Sequence, residues 1–141
     1  MVVGNIIGGK LADKMEPVRA CTILLVSMAM VLVLIFFFSS YQVLSLCFTF
    51  IAAALSIALA TPIQMLMIRT ATEGEVIGAA ATQAAFNIGN ALGALFGGWP
   101  IAAGLGYNSP SLVGACMAMA GIVFARILWS LQQRPRVVFA N

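Results

Sequence analysis

Gln83, Asn87 and Asn90 stand at i, i+4 and i+7 inside a long apolar stretch of this 141-residue chain. At about 100° per residue that spacing gathers them in one narrow sector of a helix. An amide surrounded by hydrocarbon needs a partner, found either across a helix interface or in a water-filled cavity. Both readings stand at this point. The preceding apolar stretch carries a weaker version of the pattern, with Ser45, Thr49 and Ser56 on one face. These hydroxyls either line the same cavity or bond the carbonyl one turn back. Gln83, Asn87, Asn90, Ser56 and Thr49 are therefore the candidates for cavity contacts, and Gln64, just past Thr61-Pro62, stands at the mouth of a pathway or at the interface.

Catalysis has no residues to work with. The four acids, Asp13, Glu16, Glu73 and Glu75, all fall outside the apolar stretches, and the chain has no histidine. Cys21, Cys47 and Cys116 lie inside apolar segments without metal-ligand spacing and read as small packing residues. The expectation is no enzyme, no metal and no cofactor. With no carboxylate inside an apolar stretch, a proton relay contained in this segment is also not expected.

The elements that must position the amides follow from composition. Apolar residues make up 62% of the chain, charged residues 8%, and the mean hydropathy is +1.07. These values exclude a water-soluble fold, which carries about 25% charged residues. A membrane crossing takes about 20 mostly apolar residues. Four such stretches are expected, over 20–38, 43–68, 77–103 and 111–131, separated by polar punctuation, with a tail over 132–141. Residues 1–8 are apolar but reach only about 12 Å as a helix, so they read as a partial helix ahead of a loop over 9–19. The fold class is thus an all-α integral membrane protein forming a single membrane domain, 1–141. Residues 1–8 look like the cytoplasmic end of a helix whose beginning lies outside the chain.

Charge orients these spans. Lys10, Lys14 and Arg19 precede the first, Arg69 follows the second, and Arg126, Arg134 and Arg136 close the fourth, while the two opposite loops contain no Lys or Arg. All 7 basic residues fall on one side, which assigns that side and the C-terminus to the cytoplasm. Basic residues scattered beside apolar runs form no stripe, and nucleic acid is not an expected partner. The lipid bilayer is.

The third span also carries Ala85, Gly89, Gly93 and Gly97 at intervals of four, a small-xxx-small ladder that lets another helix approach closely. It lies about a quarter-turn from the amides. The ladder predicts a helix-packing seam.

Two motifs resemble a known family. Gly9-Lys10-Leu11-Ala12-Asp13-Lys14 is similar to the cytoplasmic loop signature of the major facilitator superfamily, with Glu16 where that signature has a second glycine. The stretch 78–94 followed by Gly97-Gly98, with Thr61-Pro62-Ile63-Gln64 before it and Leu105-Gly106-Tyr107-Asn108 after it, resembles the eleventh helix and neighbouring segments of bacterial arabinose-efflux-permease-like transporters. The resemblance implies helices eight (its end) to twelve of a twelve-helix exporter of sugars, drugs or related small solutes, proton-coupled, in the bacterial cytoplasmic membrane. It also implies that Gly9, Asp13 and Lys14 form a conformational-switch loop, that the second span lines the cavity, and that the third lies between the two halves. On this reading the remaining N-terminal portion of such a transporter is a partner, and the chain is not competent alone. Two other readings stand beside it: a self-sufficient four-helix transporter acting as a dimer, and a non-transporting membrane subunit that packs through the glycine ladder.

Overall fold

A computed structural model describes residues 2–71 and 74–132. They form five helices: α1 (Val2–Lys14), α2 (Pro17–Phe38), α3 (Gln42–Thr70), α4 (Glu75–Ala102) and α5 (Ser109–Gln132). There is no strand among the described residues. Glu73, Arg134 and Arg136, which figured in the charge pattern, lie outside them.

The segment expected as a loop over 9–19 is mostly helical. α1 continues through Gly9 to Lys14, and only Met15 and Glu16 link it to α2. Glycine weakens a helix but does not end it, whereas Pro17 does impose a break. Its ring disfavours the helical region for the residue before it, and Glu16 accordingly adopts φ −58°, ψ 134°. Pro17 then serves as the first residue of α2, where its missing N–H costs nothing. The other helices begin and end within about one turn of the expected limits.

α2, α3 and the 109–131 stretch of α5 are long and apolar enough to cross a membrane. α4 has comparable length, 28 residues, but its three amides and its glycines keep it out of that group. Its ends are nevertheless placed at opposite ends of the bundle. Near its start, a Cβ added at Gly78 would stand 3.1 Å from the Met67 carbonyl oxygen on the last turns of α3. Near its finish, a Cβ at Gly97 would stand 3.7 Å from Pro110 at the start of α5.

α2 and α5 run antiparallel, and four contacts fix their register. Asn108 Nδ2 donates to Ser39 Oγ at 2.6 Å. Gly114 faces Leu32, Gly121 faces Leu25, and the Arg19 guanidinium carbon lies 5.1 Å from the centre of the Trp129 ring. Asn108 reaches Ser39 from a turn containing Gly104 and Gly106, whose φ angles of +79° and +87° side chains rarely tolerate.

The tightest approach joins α1 to α3. Pro62, fully buried in α3, has no N–H to offer the Ala58 carbonyl four residues earlier. Gly8 lies directly over that carbonyl, and a Cβ added there would also stand 2.9 Å from Ala58 Cα. With no side chain, Gly8 lets its Cα–H face the freed oxygen, a weak hydrogen bond suited to close helix crossings. Gly4, one turn earlier, meets Ala54 in the same way, and Ala12, one turn later, is 3% exposed. Gly4, Gly8 and Ala12 are therefore a working small-residue seam.

Substituting Gly8→Leu is expected to destabilise the chain by about 1–3 kcal/mol, because overpacking here meets backbone and not a movable side chain. Thermal unfolding in detergent, followed by circular dichroism, should show the midpoint fall by several degrees.

Candidate functional site on the polar face of α4

Two faces of α4 carry polar side chains, with opposite fates. Gly78 and Thr82 are buried against the end of α3. The Thr82 hydroxyl donates to the Gly78 carbonyl at 2.8 Å, which satisfies it within its own helix. Gln83, Asn87 and Asn90 lie about 80–140° around the helix from Thr82. All three are exposed, and the one hydrogen bond between side chains among the described residues, Asn108 to Ser39, involves none of them. The spacing expected to group the amides does so, and no helix described here covers them.

The glycine ladder is engaged only at one end. Ala85 and Gly89 are exposed, and Gly93 and Gly97 are half-buried. A Cβ added at Gly89 or Gly93 would meet nothing within 4 Å, so the sole neighbour reached along the ladder's glycines is Pro110, beside Gly97. The reason is geometric: α4 leans on α3 at its start and on α5 at its finish. Between those supports its backbone stands free.

On α3, the Thr49 hydroxyl donates to the Ser45 carbonyl at 2.8 Å, the local bond expected as one of its two roles. Ser56 is exposed. Met67, against which Gly78 packs, lies about five turns beyond Thr49 and hence on the same face of α3. α4 thus approaches α3 on its hydroxyl face and then leaves that face uncovered. Gln64 is exposed near the same end of α3.

Gly9, Asp13 and Lys14 occupy the last turns of α1. Gly9 is half-buried with nothing within 4 Å of an added Cβ, and Asp13 and Lys14 are exposed. Among the described residues the ion pair at this end is Arg19 Nε to Glu16 Oε2, 3.3 Å apart. The packing glycine here is therefore Gly8 and not Gly9.

A cavity of about 670 Å³ contains none of the expected residues. It is an apolar groove between α4 and α5, walled by Phe96, Trp99, Pro100, Leu112, Cys116 and Met117. Apart from the Trp99 indole N–H and the weakly bonding sulfurs of Cys116 and Met117, its walls offer a polar solute no hydrogen-bonding side chain. Among the described residues no group of three or more His, Cys, Asp or Glu side chains could hold a metal ion.

Sequence reasoning missed two features: the Gly4, Gly8, Ala12 seam, and a cluster of Arg19, Arg126 and Trp129 between α2 and α5. A four-residue spacing of small residues signalled the first, but the stretch was too short to span. The second becomes visible only once α2 and α5 are known to be antiparallel neighbours.

Curated proteins resemble the chain over nearly its whole length. It is 36% identical over 122 residues to AraJ of Escherichia coli K12, which bears the name of a transporter; the match covers 86% of this chain and 31% of AraJ. It is 34% identical over 138 residues to the inner membrane transport protein YdhP of Escherichia coli K12 and of strain O157:H7, covering 96% of this chain and 34% of YdhP. The chain thus spans about a third of the length of the curated relatives it matches. No family profile and no solved structure matches it.

An open ladder makes a two-part expectation for Gly93→Leu. The thermal midpoint of the chain itself should move little, since the new side chain meets no neighbour. Co-purification with the part of YdhP that the chain does not match should be lost, and unchanged association would count against the ladder as a seam.

Proposed function

We propose that the chain belongs to the major facilitator transporters and supplies the helices that line and border the solute pathway of an exporter for sugars, drugs or related small solutes. The observation that carries this reading is the exposed face of α4. Three amides and a run of bare backbone at Gly89 and Gly93 point away from every described helix. Lipid chains cannot satisfy amides, so this face calls for water or for a complementary protein surface. Amides are also suited to polar, uncharged solutes, since each offers both donors and an acceptor.

In this arrangement α2 to α5 make four crossings, with α4 carried through the bilayer despite its polarity because its ends sit at opposite ends of the bundle. The basic residues place the α1–α2 link, the α3–α4 link and the C-terminus on the cytoplasmic side of the inner membrane. Rocking of one half of the transporter against the other would alternately open the face of α4 to the two sides. No carboxylate lies within α2, α3 or α5 or beyond the first turn of α4. The proton-binding group of a coupled cycle therefore belongs to helices outside this segment. For the same reason a self-sufficient dimer is the weaker alternative.

Reconstitution tests the proposal. The chain alone should carry no pH-gradient-driven flux of arabinose or ethidium, whereas a chimera with the part of YdhP that it does not match should carry one or both. Asn87→Leu in the chimera should lower that flux by about ten-fold or more, the cost of a polar solute left without a pathway hydrogen bond. Thr49→Val, whose hydroxyl is already spent on its own helix, should change it less than about two-fold. Coupled flux from the chain alone, or full flux from the Asn87→Leu chimera, would overturn the proposal.

A further inference from the structure

Where α2 begins and α5 ends, a cavity of about 230 Å³ opens between them. Val18 and Ile23 supply apolar wall, and Arg19, Arg126 and Trp129 supply the polar part. Arg19 is held over the Trp129 ring at 5.1 Å and paired with Glu16 at 3.3 Å. Arg126, one turn before Trp129 on α5, forms no ion pair among the described residues. The remaining hydroxyl, that of Thr22, already donates to the Val18 carbonyl at 2.8 Å. No carboxylate lines the cavity. Two guanidinium groups, each offering five N–H donors and no acceptor, and an indole N–H therefore share a space whose lining side chains hold no charged acceptor. Such a space favours an anion with several oxygens.

Which anion follows from what lies below. Ile23, on the cavity wall, begins a stripe on α2 that continues through Val26 and Met30 at i, i+3 and i+7, all exposed. Arg126 caps a matching stripe on α5, where Met119 and Val123 are exposed on the same face. A charged head at the membrane surface is thus continuous with two apolar tracks leading toward the bilayer centre. We infer that this cavity binds the phosphate of an anionic phospholipid, with its acyl chains lying along the outer faces of α2 and α5. A free phosphate would leave the tracks unused. Trp129 sits where indoles are enriched in membrane proteins, at the level of the headgroups. The inference requires only that α2 and α5 cross the bilayer. It is independent of the role given to α4.

Trp129 reports directly on the site. With Trp99→Phe removing the other indole, quenching of Trp129 by brominated phosphatidylglycerol and brominated phosphatidylcholine can be compared in vesicles of mixed composition. The relative binding constant should favour phosphatidylglycerol on the order of ten-fold, from about two basic contacts. The preference should vanish in Arg19→Gln with Arg126→Gln. It should persist in the charge-keeping pair Arg19→Lys with Arg126→Lys, and in Arg69→Gln, which lies on α3 outside the cavity. Equal quenching by the two lipids, or a preference retained in the double glutamine variant, would overturn the inference. Loss of the preference on adding inorganic phosphate at constant ionic strength would overturn it too, by assigning the site to free phosphate.

Discussion

Helices in hydrocarbon gain nothing by hiding apolar side chains from one another, so they hold together where their backbones can come close. That constraint decides which helices of this chain touch. Gly8 lies on the Ala58 carbonyl that Pro62 leaves without a partner, and Gly4 and Ala12 extend the approach by a turn on either side. Gly114 and Gly121 seat α5 on the leucines of α2, and Gly78 seats the start of α4 on the end of α3. The core that results is built of small residues, with Ala20, Ala58, Ala115 and Ala118 buried. Most large apolar side chains remain outside, as a lipid solvent permits.

The same constraint makes the middle of α4 conspicuous. Its glycines have the spacing that elsewhere brings a helix into contact, yet no described helix comes. Its amides have the polarity that elsewhere is satisfied locally, as it is for Thr82 and Thr49, yet they form no side-chain hydrogen bond among the described residues. A surface that is both closely approachable and hydrogen-bonding is costly against lipid and useful against a partner or a solute. The likeness to two transport proteins, each matched over about a third of its length, gives that surface a context. The other end of α2 and α5 answers a different demand: Arg19, Arg126 and Trp129 line a separate cavity there, the one we infer to take a phospholipid headgroup.

Much of this arrangement was legible from the residues. Long apolar runs broken by polar punctuation locate α2, α3 and α5, since hydropathy acts over whole helices. The clustering of Gln83, Asn87 and Asn90 on one sector follows from helical periodicity alone. The extent of α1 was not legible, because Gly9 reads as a break when the backbone has no need to stop until Pro17. Nor could periodicity tell which of two glycine ladders is occupied. Gly4 and Gly8 depend on Ala54 and Ala58, each 50 residues further on in α3, and Gly89 and Gly93 depend on where α4 leans. Such facts belong to the pairing of helices, which a single helix does not encode.

The central claim is that the amide face of α4 meets water or protein and not lipid. Nitroxide scanning from 80 to 97 in the chimera with YdhP, in proteoliposomes, measures this through collision with a water-soluble nickel chelate and with membrane-dissolved oxygen. The account predicts chelate maxima at 83, 87 and 90, with oxygen minima at the same positions. Oxygen maxima there, without chelate access, would show that the amides face the lipid and would contradict it.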